Sequence, residues 1–132
     1  MIPFNQPCLV GNELAYIADA VKRGKISGNG YYTQACQQFL ENEFGYLKTL
    51  LTNSCTDALE MAALLIDIKA GDEVIMPSFT HVSTANAFLL RGAKIVFADV
   101  EANTPNLDVT KIASLVNKNT KAIVVVHYGG IA

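Results

Sequence analysis

The sequence predicts an α/β protein, a mostly parallel sheet in three layers with helices on both faces, entered through two helices. Three observations carry this. Short apolar or β-branched runs alternate with stretches of helical length from residue 48 onward. The last run, KAIVVVHY at 121–128, is continuous, as in strands buried on both faces of a parallel sheet. Parallel strands need crossover helices, and these connections are right-handed, so the helices pack back onto the sheet.

The first element is a helix over 13–23, with Leu14, Ile17 and Val21 on one face, Asn12 as its cap, Glu13 in the first turn and Gly24 past the end. SGNGYY at 27–32 is a turn, after which Cys36, Phe39, Leu40 and Phe44 mark a second amphipathic helix ending at Gly45. The run from Lys48 to Leu51 is expected to be a strand, Thr52–Thr56 a polar turn, and Ala58–Ile66 a helix. EVIM at 73–76 follows as a strand, Thr84–Leu90 as a helix closed by Gly92, and KIVFADV at 94–100 as a strand. Asp108 caps a helix to Val116, and 121–128 is the closing strand. The order is βαβαβαβ, divided into an N-terminal helical segment, 1–47, and an incomplete α/β domain, 48–132. Ala132 follows a buried strand with no closing helix, so the chain is expected to be the N-terminal part of a longer protein.

Composition narrows the functional classes. With 132 residues, 51% hydrophobic and 17% charged, the chain has the apolar mass for one core. A net charge of −2 without a basic run supports neither a nucleic-acid partner nor an anionic membrane. No segment has the length and apolarity of a bilayer span, and the start MIPFNQPCLVGNE has no signal-peptide pattern. Cys8, Cys36 and Cys55 form neither an even set nor a C-x-x-C pair, which indicates neither disulfides nor a metal site and fits a reducing cytoplasm.

Two polar segments are candidates for chemistry, each between a strand and a helix. At Ser54-Cys55-Thr56, unpaired N–H groups and the helix dipole suit a phosphate, although a plain helix cap has the same residues. Neither G-x-G-x-x-G nor a P-loop pattern occurs. The segment PSFTHVST at 77–84 should lie at the same edge of the sheet, where ligands of parallel sheets bind; His81 there either stacks on a flat ring or is an ordinary loop histidine. Cys55 with His81 or His127 as base is a further alternative to a small residue in a tight turn, but spacing places no third group. Among the lysines none has the surroundings of a desolvated Schiff-base residue, and the carboxylates form no catalytic pair.

The chain resembles the DegT/DnrJ/EryC1/StrS sugar aminotransferases along its length: IPFN at 2–5, SGNG at 27–30, the block from Leu50 to Val100, and VVVHYGG at 124–130. Within that family it is most similar to transaminases acting on dTDP-4-keto-6-deoxyhexoses, including those that form dTDP-4-amino-4,6-dideoxygalactose. The resemblance implies the large domain of fold-type-I enzymes dependent on pyridoxal 5′-phosphate. It assigns Ser54, Cys55 and Thr56 to the cofactor phosphate and His81 to the position that usually stacks an aromatic ring on the cofactor. Asn29, in the SGNG loop, corresponds to a segment near the substrate and the neighbouring subunit of a homodimer. It further implies transfer of an amino group from L-glutamate to a nucleotide-linked keto sugar. The Schiff-base lysine and the pyridine-nitrogen aspartate are expected beyond Ala132, so the 132-residue chain by itself is expected to be inactive. The alternatives are a sister sugar dehydratase using the same cofactor, and a non-catalytic remnant or phosphate-binding module.

Overall fold

The computed structural model describes residues 1–3 and 6–132. Phe4 and Asn5, half of the IPFN motif, lie outside the described residues. The chain divides into two compact units, Met1–Leu51 and Thr52–Ala132.

In the second unit a buried strand, β1 (Glu73–Pro77), lies between β2 (Lys94–Ala98) and β3 (Thr120–Ile123), parallel to both, in the order β2-β1-β3. All five residues of β1 are buried, whereas β2 and β3, each paired on one side among the described residues, are partly exposed. The alternation of side chains along β1 builds the core on both faces. Val74 and Met76 pack with Ala63 of helix α3 (Cys55–Leu65), Ala87 and Phe88 of helix α4 (Val82–Leu89), and Ile68 and Ala93. On the opposite face Ile75 packs with Ala98 and Leu107, against Ile112 and Leu115 from the region of helix α5 (Val109–Leu115). Helices therefore lie on both faces, the three-layer arrangement expected from the sequence. The chain enters β1 through Asp67, in the left-handed region at φ 54°, and the connection after α4 turns at Gly92, φ 86°. A Cβ at Gly92 would lie 3.2 Å from the Cα of Ala70, so both conformation and space require glycine there. Asp108 caps α5 as expected, its Oδ1 accepting the Thr110 N–H at 3.0 Å.

At the amino end of the sheet the Glu73 carboxylate joins three elements. It accepts from Lys94 Nζ at 2.9 Å and from the Asn117 side-chain amide at 2.7 Å, while the Glu73 N–H donates to the Asn119 carbonyl at 2.8 Å. The Lys94 ammonium, and next the Asn117 amide, hold its carboxyl below the ordinary carboxylate range.

In the first unit, helices α1 (Glu13–Lys22) and α2 (Tyr31–Phe44) contain no buried residue, and the Leu14-Ile17-Val21 face is exposed. The two are tied by Tyr32 Oη, which donates to Asp19 Oδ2 at 2.9 Å; Asp19 also binds Arg23, whose guanidinium lies over the Tyr31 ring at 3.7 Å. Helix α2 begins five residues before Cys36, on extended Gly30, and ends at left-handed Gly45 as expected.

The sequence reading needs three corrections. Asn12 does not cap α1 with its side chain, because its backbone is already near-helical, φ −99° and ψ −6°, whereas a side-chain cap needs extended geometry. Glu13 instead accepts the N–H groups of Val10 at 2.7 Å and Gly11 at 2.9 Å. Residues 48–51 form no strand; the Thr49 N–H goes to Glu41 Oε1 at 2.8 Å rather than to a neighbouring strand, so residues 48–132 hold three strands instead of the four expected. Finally, β2 and β3 are shorter than their apolar runs. Past Ala98 only an isolated bridge, Val100 with Leu107, continues β2, and β3 stops at Ile123 although three valines follow.

Candidate functional site

The turn before α3 is built by its own side chains. Ser54 is extended, φ −152° and ψ 163°, and its Oγ accepts the Asp57 N–H at 3.0 Å, while its carbonyl accepts the Ala58 N–H at 3.2 Å. Thr52 Oγ1 donates to the same carbonyl at 2.7 Å, which braces the approach to the helix. Ser54, not Thr56, is thus the N-cap. The first-turn N–H groups of Cys55 and Thr56 have no intrahelical acceptor and add to the positive end of an 11-residue helix dipole. Ser54 and Cys55 are exposed and Thr56 is half-buried, so the turn is open to a ligand. These neutral donors and two hydroxyls match a phosphate, with the Asp57 carboxylate in the same turn as the one unfavourable charge.

The second segment leaves β1 at Pro77 and enters α4 at His81. The imidazole caps the helix: Nδ1 accepts the Ser83 N–H at 3.2 Å and lies 2.8 Å from Ser83 Oγ. A backbone N–H can only donate, so Nδ1 is the acceptor and the proton of the neutral ring sits on Nε2. His81 is exposed. The preceding Thr80 shares a 2.9 Å hydroxyl bond with buried Thr84, which anchors the loop to the helix. Sequence reasoning singled out His81 and overlooked Ser83; the signal was His-x-Ser at a helix start, a capping pattern more familiar with Asp or Asn in the first position.

Topology brings both segments to one end of the sheet. Helix α3, about 16 Å long by its rise per residue, precedes β1 through a short link and packs over it. It therefore runs opposite to β1, and its N-terminus lies toward the strand's carboxyl end. The loop Ser78–His81 leaves from that same end, where ligands of parallel α/β sheets bind. Tyr128, just after the β3 run, joins them: its ring meets Phe79 edge-to-face, with centroids 4.9 Å apart. His127 is exposed beside it. Neither distance nor hydrogen bond joins Cys55 to either histidine, so the thiol–imidazole alternative gains no support among the described residues.

Asn29 belongs to the first unit. It is held in the left-handed region at φ 58°, a conformation Asn tolerates better than most residues, and its carbonyl accepts from Gln34 Nε2 at 3.2 Å. With Arg23, Lys25, Ser27, Tyr31 and Tyr32 it lines a cleft of about 690 Å³.

Comparison with known proteins bears on the family and the fold. The family description "DegT/DnrJ/EryC1/StrS aminotransferase family" matches residues 7–132. GDP-perosamine synthase of Vibrio cholerae is 38% identical over 100% of this chain and 36% of its own length. Spore coat polysaccharide biosynthesis protein SpsC of Bacillus subtilis (strain 168) is 38% identical over 98% of this chain and 33% of its own. A Streptococcus pneumoniae protein provisionally described as a sugar aminotransferase, solved in PLP and PMP forms, superposes with a TM-score of 0.87 at 29% identity, covering 99% of this chain and 33% of that one. The chain thus spans about a third of the length of the curated relatives it matches. The family's cofactor is pyridoxal 5′-phosphate, whose phosphate fits the donor set at the α3 N-terminus. With its family profile and its parallel three-layer fold in agreement, the chain belongs to the DegT/DnrJ/EryC1/StrS aminotransferase family.

Proposed function

We propose that this chain forms the cofactor-phosphate side of a sugar aminotransferase acting as part of a longer protein, with L-glutamate as amino donor and a nucleotide-linked keto sugar as acceptor. The observation that supports this reading best is the pairing, at one end of the sheet, of the open α3 N-terminus with the His81 loop. Bound pyridoxal 5′-phosphate supplies the electron sink that lets an amino group pass between carbon skeletons. The chain's own residues bind and orient. The N–H groups of Cys55 and Thr56 and the hydroxyls of Ser54 and Thr56 hold the phosphate through the helix terminus. His81, fixed through Nδ1 by Ser83, offers its ring face or its Nε2–H to the cofactor ring. Asn29 is assigned to sugar-nucleotide recognition, and the working unit is a cytoplasmic homodimer.

For the acceptor, the resemblance along the chain favours a dTDP-linked 4-keto-6-deoxyhexose, with dTDP-4-amino-4,6-dideoxygalactose as product. The name of the Vibrio cholerae relative supports a second reading, a GDP-linked sugar. The test uses the natural protein loaded with pyridoxal 5′-phosphate. L-glutamate should yield 2-oxoglutarate, and a keto sugar should then return the enzyme to its starting absorption. Running dTDP- and GDP-linked 4-keto-6-deoxyhexoses side by side chooses between the two acceptors. If glutamate leaves the cofactor spectrum unchanged while a keto sugar loses water, the dehydratase alternative replaces the transaminase.

A further inference from the structure

Of the three valines after Ile123 only the first still bonds to the sheet, and the cause lies in the neighbouring strand. Val124 donates to the Ile75 carbonyl at 2.8 Å, the last bond between β3 and β1. In a parallel ladder the next bond on that side runs from the N–H of residue 77 to the Val124 carbonyl, and the one after it from the Val126 N–H to the carbonyl of residue 77. Residue 77 is proline, which has no N–H. On the other side of β1 the ladder is unaffected: it continues past the proline, with Ser78 donating to the Ala98 carbonyl at 2.8 Å. Val125 and Val126 are among the best strand formers of the chain, so their departure from the ladder runs against their own propensity. Proline within a central strand is itself rare for the same reason, and here it is fully buried.

Beyond the break, two contacts hold the departing chain. The Tyr128 N–H donates to Asn106 Oδ1 at 3.2 Å, and Asn106 Nδ2 donates to the Ile131 carbonyl at 3.0 Å. The Tyr128 ring meets Phe79, two residues past Pro77 and two before His81. We infer that Pro77 is a positioning residue of the candidate site: by withholding one N–H from the central strand it opens the sheet between β1 and β3 at the carboxyl end. The opening sets the paths of 78–81 on one side and 124–128 on the other, and hence where the His81 loop stands. The cofactor arm of the test below rests on the proposed function; the exchange arm does not.

The test uses the natural full-length chain carrying Pro77→Val, which restores the N–H at similar volume and with high strand propensity, with Pro77→Ala as the second variant should the first fold poorly. Amide hydrogen exchange in 124–127 is expected to slow by about tenfold or more as the ladder closes. Affinity for pyridoxal 5′-phosphate is expected to fall by about tenfold. Adding Val126→Pro, which removes both the donor of the following bond and its exchanging hydrogen, should return cofactor affinity toward the wild-type value; a generic packing defect at 77 has no reason to be rescued in this way. Unchanged exchange in both single variants overturns the inference. So does slowed exchange with unchanged cofactor affinity, which would leave Pro77 a strand terminator with no bearing on the site. A wild-type protein that fails to bind the cofactor sinks the proposed function, while the exchange arm still decides whether Pro77 opens the sheet.

Discussion

Ser54 has two roles that a single substitution confounds and a pair separates. Its Oγ accepts the Asp57 N–H at 3.0 Å and so caps α3, and the same turn is assigned to the cofactor phosphate. Ser54→Ala removes both functions. Loss of an N-cap costs about 1 kcal/mol, within roughly 0.5–2 kcal/mol. Ser54→Asp keeps the cap, since Asp ranks with Ser at that position and its charge favours the helix N-terminus. It also puts a carboxylate within about one helical turn of the N–H groups of Cys55 and Thr56. Two unit charges 4 Å apart repel by about 1 kcal/mol in water and about 4 kcal/mol near a protein surface. The exposure of Ser54 and Cys55 argues for the lower half of that range, and the phosphate carries more than one charge. The expected loss is therefore roughly tenfold to a few hundredfold in affinity for pyridoxal 5′-phosphate. The assay titrates the natural protein with pyridoxal 5′-phosphate and, in parallel, with pyridoxal, so that the ratio isolates the phosphate; urea unfolding followed by circular dichroism reports the cap. The expected pattern is that Ser54→Ala lowers stability and the ratio, whereas Ser54→Asp keeps stability and collapses the ratio. A Ser54→Asp protein with the wild-type ratio would mean that the phosphate does not bind at this turn.

Other perturbations test the frame around the site. Ile75→Ala, at a side chain with no exposed area between Ala98 and Leu107, should cost about 2–4 kcal/mol in urea unfolding, and a loss below about 1 kcal/mol would contradict the packing described for β1. Gly92→Ala combines a φ of 86° with a Cβ 3.2 Å from the Ala70 backbone, so it should destabilise by about 1–3 kcal/mol; a neutral result would show that the turn re-forms. The Glu73 carboxyl is held below its ordinary value of 4.5 by Lys94 and Asn117, so its contribution is complete above that value and is lost as pH falls through the depressed one. Glu73→Gln should flatten the acid limb of the unfolding midpoint below about pH 4.5 and leave its shape near pH 7 unaltered, and parallel acid limbs for the two proteins would remove the ion pair from the account. Ser83→Ala should release His81 Nδ1, seen as a change in the tautomer-sensitive ¹⁵N shifts of the imidazole, with Ser83→Thr restoring them; wild-type shifts in the alanine protein would show that the backbone N–H alone fixes the ring.

Local pattern by itself determined a large part of this protein. The apolar run at 73–76, the helix stop at Gly45 and the caps at Ser54 and Asp108 are all written within a few residues of where they act, because periodicity and capping depend on the chain's immediate geometry. The same local signals placed Ser54 at a helix start and His81 at a strand-to-helix turn, and resemblance along the whole chain named the family. What a residue does when its partner is distant was decided only by the tertiary structure. Residues 48–51 have a strand's composition, yet pairing needs a neighbour, and the Thr49 N–H goes to Glu41 instead. The valines at 124–126 have the strongest strand propensity in the chain, yet their fate depends on a missing hydrogen on Pro77, some fifty residues earlier, which faces them only because the strand order is β2-β1-β3. The Phe79–Tyr128 contact has the same origin, since no spacing rule links positions that far apart. A single sequence reports which face of an element is apolar; which element covers that face is a long-range choice, made by backbone hydrogen bonds and packing that only the folded chain contains.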